Sequence, residues 1–228
     1  MTRRYKAILL DMNGTFMFGQ DRFGPAEDFF ATYRALGGGP LGAAQVERAI
    51  RLTHAGLAAD YADPARFDDY PSLSEALDQY AGCADRHVES LAAVFAAHEL
   101  GAIPPPFADC LSRLAASHQL GVVSNIWSPK PPWLRHFDEV GIADIWRTLV
   151  FSSDTRSMKP SPVLFERAIA ELGFAPAQIL YVGDSLTHDM VPAKALGMAT
   201  AWVGPTGKPH AAADWVGASL LELEAALR

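Results

Sequence analysis

The sequence predicts an α/β fold, a doubly wound parallel sheet with an inserted helical domain. Three observations predict it. Five short apolar runs are too brief for typical helices and rich in Val, Ile or Leu, as buried parallel strands are. Stretches with helical spacing alternate with the later runs. A long segment after the first run contains no convincing strand.

Taken in order, the runs are "KAILL" (6–10), "LGVVS" (120–124), "TLVFS" (148–152), "QILYVG" (178–183) and "ATAWVG" (199–204). Between the third and fourth lies "SPVLFERAIAELG", where Ser161 can cap the helix, Pro162 suits its first turn and Gly173 suits its stop. The strand-free segment holds "PAEDFFATYRALGG", "AAQVERAIRLTHAGLAA", "SLSEALDQYAG" and "RHVESLAAVFAAHELG", each with apolar residues at helical spacing. "FGQDRFG" supplies glycines for a hinge on entry. "GAIPPPF" (101–107) reads as a stiff return linker that no helix can cross, and "SPKPPW" (128–133) as a Pro-rich loop. The expected division is a core of residues 1–18 and 102–228 with a helical insertion over 19–101. Neither internal repeats nor low-complexity tracts interrupt it.

Composition narrows the function. Of 228 residues, 50% are apolar, enough for a sizeable core. With 19 basic and 26 acidic side chains, the net charge of -7 leaves no basic surplus for nucleic acid or an anionic membrane. Small anionic ligands stay open, because a site can be locally positive. Cys83 and Cys110 lie far apart in no CxxC pair, which argues against a disulfide framework or zinc knuckle and fits a reducing compartment. The basic N-terminus leads into an apolar run too short for a signal-peptide core, and no segment approaches the ~20 apolar residues of a membrane helix. The expectation is a cytoplasmic protein, with nothing in the sequence that sets its oligomeric state.

Ligands of open α/β sheets bind beyond the carboxyl ends of the strands. The notable polar residues fall there. Asp11 follows the first run, Ser124 and Asn125 end the second, Lys159 lies in the loop after the third, and Asp184 and Asp189 follow the fourth. Singly, each has an ordinary explanation: a turn-forming Asp, a Ser cap, a solvated Lys, Asp189 as N-cap of "MVPAKALG". Jointly, one topology brings a carboxylate, a hydroxyl, an ammonium and an acidic pair to one sheet edge.

These residues resemble the four motifs of the haloacid dehalogenase-like (HAD) hydrolase superfamily. "LLDMNGT" resembles its motif one, "VVSN" motif two, "MKPSP" motif three and "YVGDSLTHD" motif four, and the helical insertion lies where the family carries its C1-type cap. The resemblance implies Mg²⁺ held by Asp11, the backbone carbonyl of Asn13, Asp184 and Asp189. It implies a small phosphorylated metabolite as substrate.

The residues can do this chemistry. Crowded carboxylates repel, and a hard cation such as Mg²⁺ relieves the repulsion with oxygen ligands. Lys159 and Ser124 offer a charge and a hydroxyl donor to a phosphoryl group, with backbone N–H groups near Gly14 and Asn125 adding more. Asp11 would attack phosphorus to form an aspartyl-phosphate, and Gly14 would let the loop turn closely. Phosphatases of this kind usually carry an Asp where this chain has Asn13, and that Asp exchanges a proton with the leaving group and water. An amide cannot. The lost acid–base help is worth ~10²–10⁴-fold. His188, Asp21 and His54 are candidates to replace it.

The expectation is therefore a Mg²⁺-dependent phosphomonoester hydrolase, slowed or modified at Asn13. The alternatives are a weakly catalytic phospholigand-binding module and a haloacid dehalogenase. On the insertion side, Arg22 or one of Phe16, Phe18 and Phe23 would meet the leaving group, or pack the hinge. Trp127 and Trp133 would stack on substrate or pack beneath the insertion, and Lys130 would attract an anion or stay solvated.

Overall fold

A computed structural model describes residues 5–204 and 210–227. The outermost parts of the expected core, 1–4, 205–209 and 228, lie outside the described residues. The chain runs β1 (Ala7–Leu10), α1 (Phe29–Ala35), α2 (Ala43–Ala62), α3 (Leu73–Ala81), α4 (Asp85–Glu99), α5 (Pro105–Ala115), β2 (Gln119–Ser124), α6 (Pro131–Glu139) and β3 (Trp146–Phe151). It continues with α7 (Pro162–Leu172), β4 (Ile179–Gly183), a π-helical turn (Leu186–Met190), α8 (Val191–Ala195), β5 (Ala199–Val203), β6 (Trp215–Gly217) and α9 (Leu220–Leu227).

The sheet is parallel throughout, in the order β3-β2-β1-β4-β5-β6. β1 sits at its centre and pairs with β2 on one side and β4 on the other, Leu10 opposite both Val122 and Val182. All four β1 residues are buried, which explains an unbroken apolar run rather than an alternating one. Ile8 and Leu10 face one apolar cluster with α5, α6 and α9; Ala7 and Leu9 face another with α7 and α8. The doubly wound α/β architecture expected from the sequence is the one found.

Three expectations need correction. The prolines of "GAIPPPF" and "SPKPPW" do not exclude helix: Pro105 and Pro106 open α5, and Pro131 and Pro132 open α6. A first-turn residue has no intrahelical partner for its N–H, so proline there loses no bond, and its fixed φ is already helical. The linker is thus only 101–104. The sixth strand, Trp215–Gly217, is short and too weakly patterned to stand out in the sequence. Asp189 does not cap α8; it lies inside the π-helical turn with its side chain turned into the sheet edge. Ser161 and Gly173 do bound α7, Ser161 Oγ accepting from Val163 N and Gly173 taking φ 72°.

Helices α1 to α4 enclose an apolar cluster of their own, built on Phe29, Tyr33, Ile50, Leu57, Leu77 and Phe95. The chain enters and leaves this segment side by side, where Phe18 and Ala102 exchange backbone hydrogen bonds of 2.9 and 2.8 Å. The segment also rests on the loop before α7. Tyr70 N donates to Arg156 O and Met158 N to Phe67 O, both at 2.8 Å, and the buried Met158 side chain joins the helical cluster. No helix among the described residues is long and apolar enough to cross a membrane. Cys83 and Cys110 are both buried, and neither is in a disulfide among the described residues.

Candidate active site

With β1 central, the residues just past β1, β2 and β4 are forced into one crevice. Asp11 leaves β1, its N–H bonded to Val182 O at 2.8 Å. Its Oδ1 accepts from Ser124 Oγ at 2.9 Å and from Lys159 Nζ at 2.7 Å, while Thr15 Oγ1 lies 3.5 Å from Oδ2. Lys159 Nζ also donates to Asp189 Oδ1 at 2.6 Å and to the Tyr181 hydroxyl at 3.3 Å. Asp189 is further held by the Ser185 N–H at 2.9 Å, and its Oδ1 lies 3.0 Å from the Tyr181 hydroxyl. Asp11, Ser124, Lys159 and Asp189 are all buried.

Two glycines make the packing possible. A Cβ on Gly14, whose φ is 75°, would stand 2.2 Å from Asp184 Oδ2. A Cβ on Gly183 would stand 2.5 Å from the Asp189 carboxyl carbon. Either methyl would push a carboxylate out of place.

The electrostatics follow. Burial raises the Asp11 pKa, against the pull of Lys159. Burial also opposes the Lys159 charge, but Asp11 and Asp189 hold its pKa well above the ordinary value. Asp184 sits at the open rim, with its pKa pushed up to about 7 by desolvation and then by Asp11 and Asp189. Carboxylate oxygens of Asp11, Asp184 and Asp189 lie within 4.8 Å of one another. One ammonium among three carboxyls leaves negative charge uncompensated, and the donors are all oxygen. That set fits a hard divalent cation such as Mg²⁺. Asn13 Oδ1 is buried beside it with no hydrogen-bond partner, a second acceptor left over.

Asn125 does something the sequence does not announce. Its Oδ1 accepts from Lys159 N at 2.8 Å and its Nδ2 donates to Lys159 O at 3.0 Å. The side chain thus clamps the backbone of Lys159 and aims the ammonium; its Nδ2 also lies 3.4 Å from the Tyr61 hydroxyl.

Above these groups opens a cavity of about 510 Å³. Gln20, Asp21, His54, Glu99 and Trp127 also line it, and Tyr61 and His188 stand nearer the Asp11 and Lys159 end, whose charges act on both. Glu99 is buried, its two oxygens accepting from Trp127 N at 2.7 Å and Ser128 N at 2.9 Å, and burial raises its pKa to about 7. His188 stacks on Tyr61 with centroids 5.3 Å apart, and its Nδ1 lies 3.3 Å from Ser185 Oγ and 3.2 Å from Thr187 Oγ1. Burial, and then Lys159, lowers the pKa of that imidazole.

Several expected contacts do not form. Arg22 is absent from the cavity wall: its guanidinium donates to the carbonyls of Gly19 (3.0 Å), Leu100 (2.8 Å) and Ala97 (2.5 Å). Carbonyls at the end of α4 lack intrahelical donors, so a cation is drawn to them. Phe16, Phe18 and Phe23 pack on Trp146, Phe107 and His54 respectively, at the hinge and in the cores. Trp133 is fully buried against Phe151, so only Trp127 of the pair lines the cavity. Lys130 is not free: it bonds Leu149 O at 2.7 Å and pairs with Asp154.

The sequence reading passed over Tyr61, Glu99 and Tyr181. Tyr181 carries a signal, a polar ring inside an otherwise apolar strand. Glu99 carries one too, an acid on the buried side of α4. Tyr61 carries none, because it ends a helix whose orientation only the packing sets.

Comparison with known proteins agrees with this geometry. Residues 5–197 match the family described as haloacid dehalogenase-like hydrolase. A glyceraldehyde 3-phosphate phosphatase of Methanopyrus kandleri is 29% identical over 172 residues, 67% of this chain and 72% of that protein. A phosphoglycolate phosphatase of Salmonella paratyphi A is 35% identical over 94 residues, 41% of this chain and 36% of that one. Among solved structures, a 2-haloacid dehalogenase from Pseudomonas syringae superposes with a TM-score of 0.65, covering 98% of each chain at 22% identity, a likeness of fold alone.

Proposed function

The chain belongs to the haloacid dehalogenase-like hydrolase family, and we propose that it hydrolyses a small phosphomonoester through a covalent phosphate on Asp11. The observation that carries this reading is the short chain of contacts Ser124–Asp11–Lys159–Asp189, with Asp184 close by. Residues 19–101 act in it as a helical cap over the site. In the cell it is a cytoplasmic reaction.

Mg²⁺, when bound, would be held by Asp11, Asp184, Asp189 and the backbone carbonyl of Asn13, and would supply positive charge to the phosphoryl oxygens. The chain's own residues do the rest. Lys159 and Ser124 orient the Asp11 carboxylate, and Lys159 adds charge where negative charge builds on the phosphoryl group. An Asp11 carboxylate oxygen attacks phosphorus, the bond from phosphorus to the ester oxygen breaks, and the departing oxygen takes its proton from solvent water, which suits an ester with a good leaving group. Water then attacks the aspartyl-phosphate, releasing inorganic phosphate and restoring Asp11. Asn13 takes no part in the proton transfers; its amide only accepts and donates hydrogen bonds. His188 is the candidate base for the attacking water; in its neutral form it has no proton for the leaving oxygen. Burial favours its neutral form, in which one ring nitrogen can accept a proton; Nδ1 lies beside the Ser185 and Thr187 hydroxyls, and the ring lines the cavity.

The acidic trio favours a cation and so a phosphatase over a dehalogenase. Hydrolysis of an aryl phosphate with and without Mg²⁺, on this chain and on Asn13→Asp, tests the reading. Mg²⁺-dependent turnover is expected in both. For an alkyl phosphate, whose alcohol leaves poorly, Asn13→Asp gains ~10²–10⁴-fold. Ligand binding without turnover in either chain would instead make this a phospholigand-binding module, and chloride release from a haloacid would make it a dehalogenase.

A further inference from the structure

We propose that the end of the cavity remote from Asp11 recognises a cationic leaving group, so that the substrate is a phosphomonoester of an amino alcohol. The inference rests on the phosphatase reading and adds the chemical class of the alcohol.

The far wall is built from two carboxyl groups and a strip of aromatic rings. Asp21 and Glu99 come from the two ends of the helical segment, where Asp21 N donates to Glu99 O at 3.3 Å. Glu99 has both oxygens occupied by backbone N–H groups, whereas Asp21 is exposed to solvent on the cavity lining and its carboxyl makes no hydrogen bond among the described residues. His54 and Trp127 stand beside these acids, and Tyr61 and His188 continue the strip back toward the Asp11 end, with centroids 5.7, 6.0 and 5.3 Å apart in turn. All four rings are partly open to the cavity.

No cation answers these acids. Among the described residues Lys159 is the only Lys or Arg lining the cavity, and it is held between Asp11, Asp189 and Tyr181 at the phosphate end. Arg22 is turned onto three carbonyls. Arg51, beside His54, is held by Glu47 at 2.5 Å and lies 3.3 Å from Phe23 O. Burial, and then Arg51, lowers the pKa of His54, which disfavours a charge on that imidazole. Desolvation raises Asp21 to about 6 and Glu99 to about 7, the latter against the pull of the Trp127 and Ser128 N–H groups.

The cavity is therefore dipolar. One end takes a phosphate, and the other offers carboxylates and ring faces, which attract an ammonium and repel an anion. A carboxylate-bearing alcohol, such as the glycolate named for the Salmonella relative, would meet Asp21 and Glu99 with no positive partner. An ammonium there relieves the strain on both acids.

The test is a matched series of phosphate esters in Mg²⁺, ending in an ammonium, a hydroxyl or a carboxylate, in two-carbon and five-carbon chains. An aryl phosphate is the reference. The ammonium ester should exceed the hydroxyl ester in kcat/KM by about tenfold in at least one chain length, and the carboxylate ester should be poorest in both. Asp21→Asn keeps a residue that tolerates the φ of 56° found there, and should cut the ammonium-to-hydroxyl ratio about fivefold or more. The inference is overturned if the hydroxyl or the carboxylate ester equals or exceeds the ammonium ester in both lengths, or if Asp21→Asn leaves the ratio unchanged. Failure on the aryl phosphate as well as every ester would strike the phosphatase reading itself.

Discussion

At the sheet end of the cavity each buried charge is paired: Lys159 touches two carboxylates, and Asn125 fixes its backbone from the next strand. At the helical end the acids stand without cations, and the aromatic strip is half open. At the first end Asp11, Lys159 and Asp189 are already locked together, with room for a cation beside Asp184; at the second, no protein cation meets the acids. The contrast matches two different jobs. Positioning an attacking carboxylate needs preorganised dipoles that do not move during reaction. Choosing an alcohol needs only a difference in affinity between candidates.

The comparison can be broken most forcefully at Lys159. Lys159→Met removes the only positive charge from a buried cluster and leaves Asp11 and Asp189 facing one another. Losing one partner of a buried pair costs about 3–5 kcal/mol. Urea unfolding should show a loss of that order without Mg²⁺ and a smaller loss with it. A loss below about 1 kcal/mol in metal-free buffer would mean that the sheet end is not the rigid ion-paired unit described here.

The same end can be sharpened by pH. In the metal-free protein the Asp184 pKa is raised to about 7, so the group is protonated below that pH. A cation must displace the proton. Mg²⁺ affinity should then rise with pH up to about 7 and level off above, falling as much as about tenfold per unit on the acid side. Calorimetric titration between pH 5.5 and 8.5 reads this; a flat profile would place the cation away from Asp184.

The smallest effect belongs to the hinge. Arg22 holds three carbonyls and no part of the cavity wall. Arg22→Ala should lower stability by about 1–2 kcal/mol, and should change KM equally for an aryl phosphate and a larger ester. A selective rise for the larger ester would return Arg22 to the substrate.

The two ends also differ in how far the sequence reveals them. Asp11, Ser124, Asp184 and Lys159 follow strands, and a parallel sheet with a central β1 brings strand ends together whatever the side-chain details. Their proximity was therefore legible before any coordinates. Asn125 was legible as a site residue but not as a clamp, because its partner is the backbone of a loop 34 residues away. The helical end was much harder to read. Tyr61 and His54 lie on a 20-residue helix with polar groups on several faces, and which face turns inward depends on how α2 docks. For Arg22, adjacent to Asp21, the sequence leaves substrate contact and hinge packing both open, and carbonyl groups at the end of α4 decide for the hinge. Prolines misled for a related reason: they forbid helix interiors but favour helix starts, and Pro105 and Pro131 stand at starts.

The most direct test of the central claim is capture of the covalent intermediate. The chain is mixed with an aryl phosphate and Mg²⁺, quenched in acid within the first turnover, and analysed by intact and peptide mass spectrometry. The account predicts an adduct of one phosphoryl group on the peptide containing Asp11, absent from Asp11→Asn together with phosphate release. Continued turnover by Asp11→Asn, or a phosphoryl group carried on another residue, would contradict it.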